Sequence, residues 1–454
     1  MNAAAIPAVS GGVEACERVL RLAFGDPESR EFSVRYWDGS ETPAGVRPRF
    51  TLVLRHPGAL RRMLLPPSEL RLGEAFVRGD FDVEGDLEAA AAVGDALPQR
   101  FRQRGVILGL LDTLPRLPRA GGMASLTARR PARTKSEDMH TEERDRLAVR
   151  SHYDVGNDFY ALWLDPRMVY SCGYFPTGTE SLAAAQAAKL DHVCRKLRLR
   201  ANDRLLDIGC GCGALVEWAG ANYGARAFGI TVSEPQAQYA DGRLFDAALV
   251  GRCGVAVLDY RQIGPPHEYD RIASIGMVEH VGRIRLAQYF RTAYSVLRPG
   301  GLFLAHGIVA APEQRAPGLA AALGRRVWQA GAFIDRYVFP DGELVTLGEM
   351  IAAAETAGFE VRDVESLRDH YTRTLRHWVR RLEAREREAV ALVGTETYRT
   401  WRLYMAASAH AFTSGRLNVV QILLAKRDAA GRVEVPPSRA DLYSADLQSR
   451  TEAS

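Results

Sequence analysis

Hydrophobic and polar positions follow two different periods in the first quarter of the chain. Residues 47–55 alternate between apolar and polar side chains, which is the period of a strand with one buried face. Residues 69–90 combine short apolar turns with helix-like spacing. These patterns predict a small α+β domain over residues 1–114.

From about residue 141 onward, sequence patterns typical of buried strands alternate with patterns typical of helices. The apolar runs typical of buried strands are 204–210, 226–233, 254–260, 269–277 and 300–309. Helical spacing covers 214–223 and 234–249 between them. This alternation predicts an α/β domain over 141–454, with a parallel sheet covered by helices. Two later stretches, 366–393 and 397–412, predict helices outside or between the strands of the core sheet.

A basic tract separates the two predicted domains. Of the 454 residues, 59 are Lys or Arg and 55 are Asp or Glu, so the net charge of +4 is too small to predict a nucleic-acid partner. Residues 115–135 nevertheless contain basic and no acidic side chains, together with Pro and Gly. Residues 115–140 therefore predict either a flexible, solvated linker or a segment drawn to anionic lipid headgroups, and both interpretations stay open.

Several observations bear on compartment and metal binding. The sequence has no run of about 18 apolar residues and no secretion signal at its start, which predicts a cytoplasmic protein. Six cysteines in a chain of this length predict free thiols rather than a disulfide framework. Cys210 and Cys212 lie in a glycine turn without a second pair at zinc spacing, so no metal is predicted.

Glycines and polar residues follow the first three strands of the predicted sheet. Open α/β sheets bind cofactors at the carboxyl ends of their strands, where glycines let the backbone approach a ligand. A dinucleotide is the alternative ligand, but its G-x-G-x-x-G fingerprint and the acidic residue after the second strand do not match. Together the residues resemble the S-adenosylmethionine site of class I methyltransferases. They are Asp207, Gly209, Gly211 and Gly213 after the first strand, Thr231 to Gln236 after the second, and Asp259, Tyr260 and Arg261 after the third.

Further motifs carry a closer resemblance. They are His152 to Tyr160, Leu164 to Pro166, Tyr170 to Phe175, Gly276 to Gly282, Ala305 to Ile308, Phe339 to Gly342, and His370 to Trp378. From about 148 to 426 the chain resembles the cyclopropane-fatty-acyl-phospholipid synthase family and its mycolic-acid relatives. The resemblance implies a Rossmann-like class I methyltransferase sheet with helical insertions for the lipid pocket, preceded by a small N-terminal domain.

The resemblance also implies two sets of site residues. Those expected to bind S-adenosylmethionine are Tyr170, Ser171, Gly209, Gly211, Thr231, Val232, Gln236, Tyr260, Arg261 and Ile275, to which the strand pattern adds Asp207, Gly213 and Asp259. Those expected to hold a bicarbonate ion beside the reacting double bond are Cys172, Glu279, His306, the backbone near Ile308, and Tyr371. A Cys or His is more often a packing residue than a catalyst, and Tyr371 on an Arg-rich helix is alternatively a surface residue.

The implied chemistry is cyclopropane formation on unsaturated phospholipid acyl chains. An alkene is a weak nucleophile, so positioning in a dry pocket supplies much of the rate. Methyl transfer leaves a carbocation, which a bound anion can stabilise and deprotonate. Three alternatives stay open: an acyl methyltransferase that forms a methylene or methyl branch, a nitrogen or oxygen methyltransferase for a small metabolite, and a lipid-binding module without activity.

Some assignments are weaker. His152, Asp154 and His280 are expected to anchor loops. The aromatic residues Trp328, Phe333, Tyr337 and Phe339 line an acyl tunnel or fill a core. Transient contact with the membrane surface and a homodimer complete the expectations.

Overall fold

The computed structural model describes residues 11–45, 47–101, 103–119, 155–264, 269–312, 331–339, 342–433 and 435–443. Most of the basic tract lies outside these ranges. Residue contacts divide the chain into two compact units. The first comprises Met1–Thr134, Gln314–Val338 and Glu386–His410, and the second comprises Lys135–Glu313, Phe339–Arg385 and Ala411–Ser454. The domain boundaries expected from the sequence stay a prediction, because this division assigns two later segments to the first unit.

The first unit contains a four-stranded sheet in the order β2-β1-β3-β4, in which only β1 and β3 are parallel. Ser68 and Asp86 cap helices α3 and α4 by accepting hydrogen bonds from backbone N–H groups. The predicted strand at 47–55 is β3. The bounds are α1 Gly11–Phe24, β1 Phe32–Arg35, β2 Glu41–Thr42, β3 Phe50–Leu54, α2 Ala59–Leu64, α3 Glu69–Val77, β4 Phe81–Gly85, α4 Leu87–Arg100 and α5 Arg104–Thr113.

The second unit is built on a seven-stranded sheet in the order β10-β11-β9-β8-β5-β6-β7. Strands β5 to β9 are parallel, and β10 and β11 are antiparallel additions at one edge. The strand bounds are β5 Arg204–Ile208, β6 Arg226–Thr231, β7 Gly254–Val257, β8 Tyr269–Ile275, β9 Leu297–Ala310, β10 Glu360–Ser366 and β11 Leu417–Ala425. The five predicted strands are confirmed, whereas β10 and β11 are not among them.

Helices cover both faces of this sheet. Phe303 packs in the apolar cluster beneath α10 and α12, and its neighbour Leu304 packs in the cluster beneath α7 and α8. The helices of the second unit are α6 Asn157–Trp163, α7 Leu182–Lys196, α8 Ala214–Tyr223, α9 Glu234–Asp246, α10 Val278–Val296, α12 Leu347–Thr356 and α13 Arg368–Ala384. Helix α11, Ala332–Tyr337, and most of α14, Glu386–Thr413, belong to the first unit. Gly394, with φ 78°, interrupts α14.

Candidate active site

A cavity opens where β5, β6 and β7 end. Its lining includes every residue predicted to bind the cofactor except Gly213. The predicted residues that line it are Tyr170, Ser171, Asp207, Gly209, Gly211, Thr231, Val232, Gln236, Asp259, Tyr260, Arg261 and Ile275. The parallel strands bring these distant parts of the sequence to one edge of the sheet.

The glycine loop after β5 depends on positive φ angles and close packing. A Cβ atom on Gly209, whose φ is 80°, would lie 2.4 Å from Cγ of Met277. One on Gly213, whose φ is 77°, would lie 2.7 Å from Cβ of Ala240 on α9. Gly213 caps the start of α8, so its position is explained by helix packing and not by contact with the cavity.

Hydrogen bonds hold the turns after β6 and β7. The Thr231 hydroxyl donates to Oε1 of Gln236 over 2.9 Å. The Arg261 guanidinium donates to both oxygens of Asp259, over 2.8 and 2.7 Å, and lies 5.5 Å from the ring of Tyr260. Asp259 therefore fixes Arg261 beside the aromatic ring at this end of the cavity.

The Tyr170–Ser171 segment is held by residues that were not predicted. The Tyr170 ring lies 5.2 Å from the ring of Trp378. Nε2 of Gln186 donates to the Ser171 carbonyl over 2.8 Å, and Nζ of Lys189 donates to the Ser171 hydroxyl over 3.0 Å. Gln186 and Lys189 lie three positions apart on α7, so they share one helix face. The same helix also buries His192 and Lys196, so its sequence resembles a solvated helix and gave no signal for Gln186 or Lys189.

The five residues predicted to hold the anion are connected through β9 and β11. His306 and Ile308 lie two positions apart on β9, so their side chains share one face of the sheet. The backbone N–H of Tyr371 donates to the Leu367 carbonyl over 3.0 Å, and the Cys172 thiol lies 3.9 Å from the same oxygen. Leu367 in turn donates to the carbonyl of Val419, which pairs with Ile308.

Glu279 is the acidic residue of this cluster. Its Oε1 accepts the Ile308 N–H over 2.7 Å. The backbone near Ile308 was predicted to contact the anion, and in this structure the Ile308 N–H donates to Glu279. Oε2 is buried without a hydrogen-bond partner among the described residues. Burial raises the pKa of Glu279 to about 7, so the side chain gains or loses its charge when the pH changes around neutrality.

His306 is buried and neutral. Burial, reinforced by the charges of Lys189 and Lys196, lowers the pKa of His306 to about 3. Nε2 of Gln421 lies 3.2 Å from Nδ1 of His306, and an amide N–H can only donate. With the Gln421 amide in this orientation, Nδ1 of His306 accepts and the ring proton lies on Nε2. Gln421 was not predicted, although a glutamine within the apolar run 417–425 was a signal.

Cys172 and Tyr371 are also buried. Burial raises the pKa of the Cys172 thiol well above its ordinary range, so the side chain stays a weak donor. Tyr371 is 7% exposed and its ring lies 4.8 Å from the ring of Phe412. The alternative interpretation of Tyr371 as a surface residue is therefore wrong.

A ring stack anchors the segment that follows Cys172. Tyr174 lies between His192, at 4.2 Å, and His370, at 4.8 Å, measured between ring centroids. Nε2 of His192 lies 2.9 Å from Glu365, whose carboxylate also pairs with the buried ammonium of Lys196 at 2.5 Å. Burial acts to raise the pKa of Glu365, but His192 and Lys196 outweigh it and lower that pKa to about 2.

Replacing Glu365 with glutamine is expected to lower the free energy of unfolding by about 2 kcal/mol, because neutral hydrogen bonds replace charge-assisted ones. A carboxyl group with a lowered pKa stabilises the folded protein above its ordinary value of 4.5, and this contribution disappears as the pH falls toward about 2. Urea unfolding of both proteins at several pH values measures the difference. A difference that stays constant between neutral pH and about pH 3 would contradict this assignment.

The weaker assignments divide between the units. His280 lines the cofactor cavity, and its ring lies 5.9 Å from that of Phe339. In the first unit, Phe333 is buried, and its ring lies 5.1 Å from that of Tyr337. This packing is typical of an aromatic core. His152, Asp154, Trp328, Pro340 and Asp341 lie outside the described residues.

Comparison with known families agrees with this geometry. The profile of a family described as mycolic acid cyclopropane synthetase matches residues 140–422. The chain belongs to this family. A second profile, a domain of unknown function, matches residues 19–94. The protein is accordingly an S-adenosylmethionine-dependent methyltransferase of the cyclopropane synthase family.

Similar proteins cover most of the chain. A "Probable fatty acid methyltransferase" of Pseudomonas putida is 40% identical over 410 residues, which are 90% of this chain and 95% of that protein. The "Cyclopropane mycolic acid synthase MmaA2" of Mycobacterium tuberculosis is 35% identical over 61% of this chain and 96% of its own length.

Solved structures show the same fold. The structure of MmaA2 from Mycobacterium tuberculosis covers 64% of this chain with a TM-score of 0.57 and 33% identity, and all of the MmaA2 chain is matched. The mycolic acid cyclopropane synthase CmaA1, crystallised with SAH and CTAB, covers 62% of this chain and 97% of its own, also with a TM-score of 0.57 and 32% identity. Coclaurine N-methyltransferase, at 18% identity and a TM-score of 0.51, shares the fold alone.

Proposed function

We propose that this family member transfers a methylene group from S-adenosylmethionine to the cis double bond of unsaturated acyl chains in phospholipids. The methyl group of the sulfonium bonds to one alkene carbon, and the carbocation forms on the other. Loss of one proton from the new methyl group lets its carbon bond to the cation, which closes a cyclopropane ring. S-adenosylhomocysteine and a proton are the other products.

The buried cluster of Cys172, Glu279 and His306 carries this proposal. A carbocation alkylates any free nucleophile, so its surroundings must supply electrostatic stabilisation without one. Cys172 is a thiol and His306 is neutral, while Glu279 has one oxygen held by the Ile308 N–H and one oriented for a further donor. These groups fit a small anion that carries both donor and acceptor oxygens.

Bicarbonate fits this set. Cys172, Nε2 of His306 and Tyr371 would donate to its oxygens, and Oε2 of Glu279 would accept from its hydroxyl. When bound, bicarbonate supplies a base beside the cation that is too small and too well held to attack it. The remaining contribution of the chain is to exclude water and fix the double bond, which the burial of these side chains supports.

The proposal is tested by incubating the enzyme with methyl-labelled S-adenosylmethionine and vesicles of mixed unsaturated phospholipids. Proton and carbon NMR of the released fatty acids should show the label in a cyclopropane ring, with ring protons at high field. Label at a vinylic position would show that the enzyme forms a methylene branch and not a ring. Transfer to small amines or alcohols without labelled lipid would overturn the lipid assignment.

A branched acyl product is the second candidate. The 40% identical relative is named a fatty acid methyltransferase, without mention of a ring. The same carbocation gives a methylene branch if a hydride first shifts from the methylated carbon to the cationic carbon and a proton then leaves the new methyl group, and the two products have equal mass. The hydride shift before proton loss therefore decides between them, and the NMR experiment distinguishes the outcomes.

Turnover is expected to rise as the pH increases through about 7. Glu279 must be ionised to accept a hydrogen bond from the anion, and burial raises its pKa to about 7. His306, with a pKa lowered to about 3, stays neutral in this range. The measurement is kcat between about pH 5 and about pH 8 at a fixed bicarbonate concentration and saturating substrates. A flat profile would exclude Glu279 as the titrating group.

Contact with the membrane surface is part of the proposal. Helix α5 exposes 69% of Leu108 and 66% of Leu111, which lie three positions apart on one face, and the basic tract follows in the sequence. Apolar residues beside basic ones suit a bilayer with anionic headgroups. No described helix is both long and apolar enough to span a membrane. A cytoplasmic location and a homodimer stay predictions.

Replacing Leu108 and Leu111 together with serine is expected to weaken binding to anionic phospholipid vesicles by about tenfold or more, because each leucine loses its transfer free energy into the bilayer. Vesicle co-sedimentation measures the change, and S-adenosylhomocysteine affinity serves as the control for folding. Unchanged sedimentation would place the membrane contact elsewhere. Ile284→Ser is the matched control, because Ile284 lies in the second unit and is 77% exposed. This substitution should leave vesicle binding unchanged.

A further inference from the structure

Two oppositely charged side chains face the cofactor cavity without an ionic partner. Lys189 is 2% exposed and Asp207 is 3% exposed, and both line the cavity. The Lys189 ammonium donates one hydrogen bond, to the Ser171 hydroxyl over 3.0 Å. Within the described residues, no carboxylate lies within 4.0 Å of Nζ of Lys189, and Asp207 has neither an ion pair nor a side-chain hydrogen bond. Such burial is costly unless another group completes the pairing.

Two other buried charges in the same unit have partners. The Lys196 ammonium pairs with Glu365 at 2.5 Å. The Asp165 carboxylate accepts backbone N–H groups of Arg167 and Val169, over 3.1 and 2.9 Å. Lys189 and Asp207 differ from these two groups because their hydrogen-bonding positions face the cofactor cavity without an ionic partner, which points to a ligand.

We propose that Lys189 and Asp207 together bind the amino-acid end of S-adenosylmethionine, with the Lys189 ammonium on the α-carboxylate and the Asp207 carboxylate on the α-ammonium. This inference rests on the proposed use of that cofactor. One buried cation and one buried anion match the two charges of an α-amino acid. Charge-assisted hydrogen bonds of this kind are about twice as strong as neutral ones.

The order of the strands gives the direction of the cofactor. Thr231 ends β6 and Gln236 follows it, and Tyr260 follows β7. Strands β6 and β7 lie one and two strands away from β5. Each strand adds about 4.8 Å, so these residues suit the adenosine end. Asp207 at the end of β5, with Lys189 and Ser171, is then left for the opposite end of the cofactor.

The proposed bicarbonate is a rival anion for Lys189. The charge of Lys189 acts to lower the pKa of both Cys172 and His306, although burial outweighs it at Cys172 and raises that pKa. Neither residue, however, is among the described residues that line the cofactor cavity, whereas Lys189, Ser171 and Asp207 all are. The shared cavity therefore favours the carboxylate of the cofactor over bicarbonate.

Binding calorimetry with three ligands tests the assignment. S-adenosylhomocysteine carries both charges, its decarboxylated analogue keeps only the ammonium, and 5′-methylthioadenosine has neither. Lys189→Met is expected to lower the affinity for S-adenosylhomocysteine by about tenfold to a hundredfold and to leave the affinities for the other two ligands undiminished. Asp207→Asn is expected to lower the affinities for S-adenosylhomocysteine and its decarboxylated analogue and to leave the affinity for methylthioadenosine unchanged.

Lys426→Met is the matched control. The Lys426 ammonium donates to the backbone carbonyls of Tyr294 and Leu297, at the opposite edge of the sheet. Its loss should leave the ratio of the three affinities unchanged, and circular dichroism verifies that all variants fold. If wild-type protein binds none of the ligands, the proposed cofactor use fails.

Two further outcomes would overturn the Lys189 assignment itself. Equal weakening of all three ligands by Lys189→Met would mean that the lysine supports the cavity without recognising the carboxylate. Unchanged affinities, accompanied by a higher bicarbonate concentration for half-maximal turnover, would assign Lys189 to the anion beside the double bond.

Discussion

Replacing Glu279 with glutamine is expected to lower kcat by about a hundredfold to ten-thousandfold, which is the range for loss of a group that governs proton transfer. The amide oxygen of glutamine can still accept the Ile308 N–H, so the local fold should persist. The other position becomes a donor, and it can no longer accept from the hydroxyl of a bound bicarbonate. Turnover with labelled S-adenosylmethionine measures the loss.

Binding of S-adenosylhomocysteine separates this result from misfolding, since Glu279 does not line the cofactor cavity described above. Glu343→Gln is the matched control. The Glu343 carboxylate accepts from the backbone N–H of Arg283 and is 34% exposed, so its loss should leave kcat within about threefold of wild type. Activity that survives Glu279→Gln combined with Tyr371→Phe would favour an ordinary nitrogen or oxygen methyltransferase.

The sequence was most informative where local chemistry and strand order coincide. A run of alternating glycines after an apolar strand predicts a backbone that a ligand can approach, and Gly209 and Gly211 do line the cavity. Gly213 shows the limit of this reasoning. Its place in the motif is set by the approach of Ala240 on a helix that follows the next strand, which local sequence does not specify.

The strands at the sheet edge could not be predicted in the same way. Residues 417–425 form a mainly apolar run that contains Asn418 and Gln421, and such runs are shared by buried strands and buried helices. Residues 360–366 carry charges on both faces of a strand, and Asp363 and Glu365 pair with the buried Lys196, a partner that lies far away in the sequence. Both assignments depend on strand pairing that local sequence does not specify: β11 pairs with β9, which lies more than a hundred residues earlier in the sequence, and β10 pairs with β11.

Residues that orient the predicted site residues were the hardest to predict from the sequence. Gln421 becomes a partner of His306 only because β11 pairs with β9 in the register that aligns them. Lys189 on α7 looks like a solvated helix charge until the helix packs against the strands. Motif resemblance supplied the residues closest to the chemistry, whereas their orienting partners required the tertiary structure.

Trp378→Ala is expected to lower the free energy of unfolding by about 3–5 kcal/mol, the range for removing a large buried aromatic side chain. Trp378 is fully buried, and its ring lies 5.4 Å from that of Trp163. It also contacts the rings of Tyr170, at 5.2 Å, and Tyr371, at 5.9 Å. Urea unfolding followed by circular dichroism measures the change in stability.

Because Trp378 packs between one predicted cofactor residue and one predicted anion ligand, its loss should affect both functions in the protein that remains folded. Affinity for S-adenosylhomocysteine should fall through Tyr170, and kcat should fall through Tyr371. Trp378→Phe retains part of the ring packing and should show a smaller loss in all three measurements. A destabilised alanine variant with wild-type affinity and turnover would mean that the two tyrosines are positioned independently of the aromatic cluster.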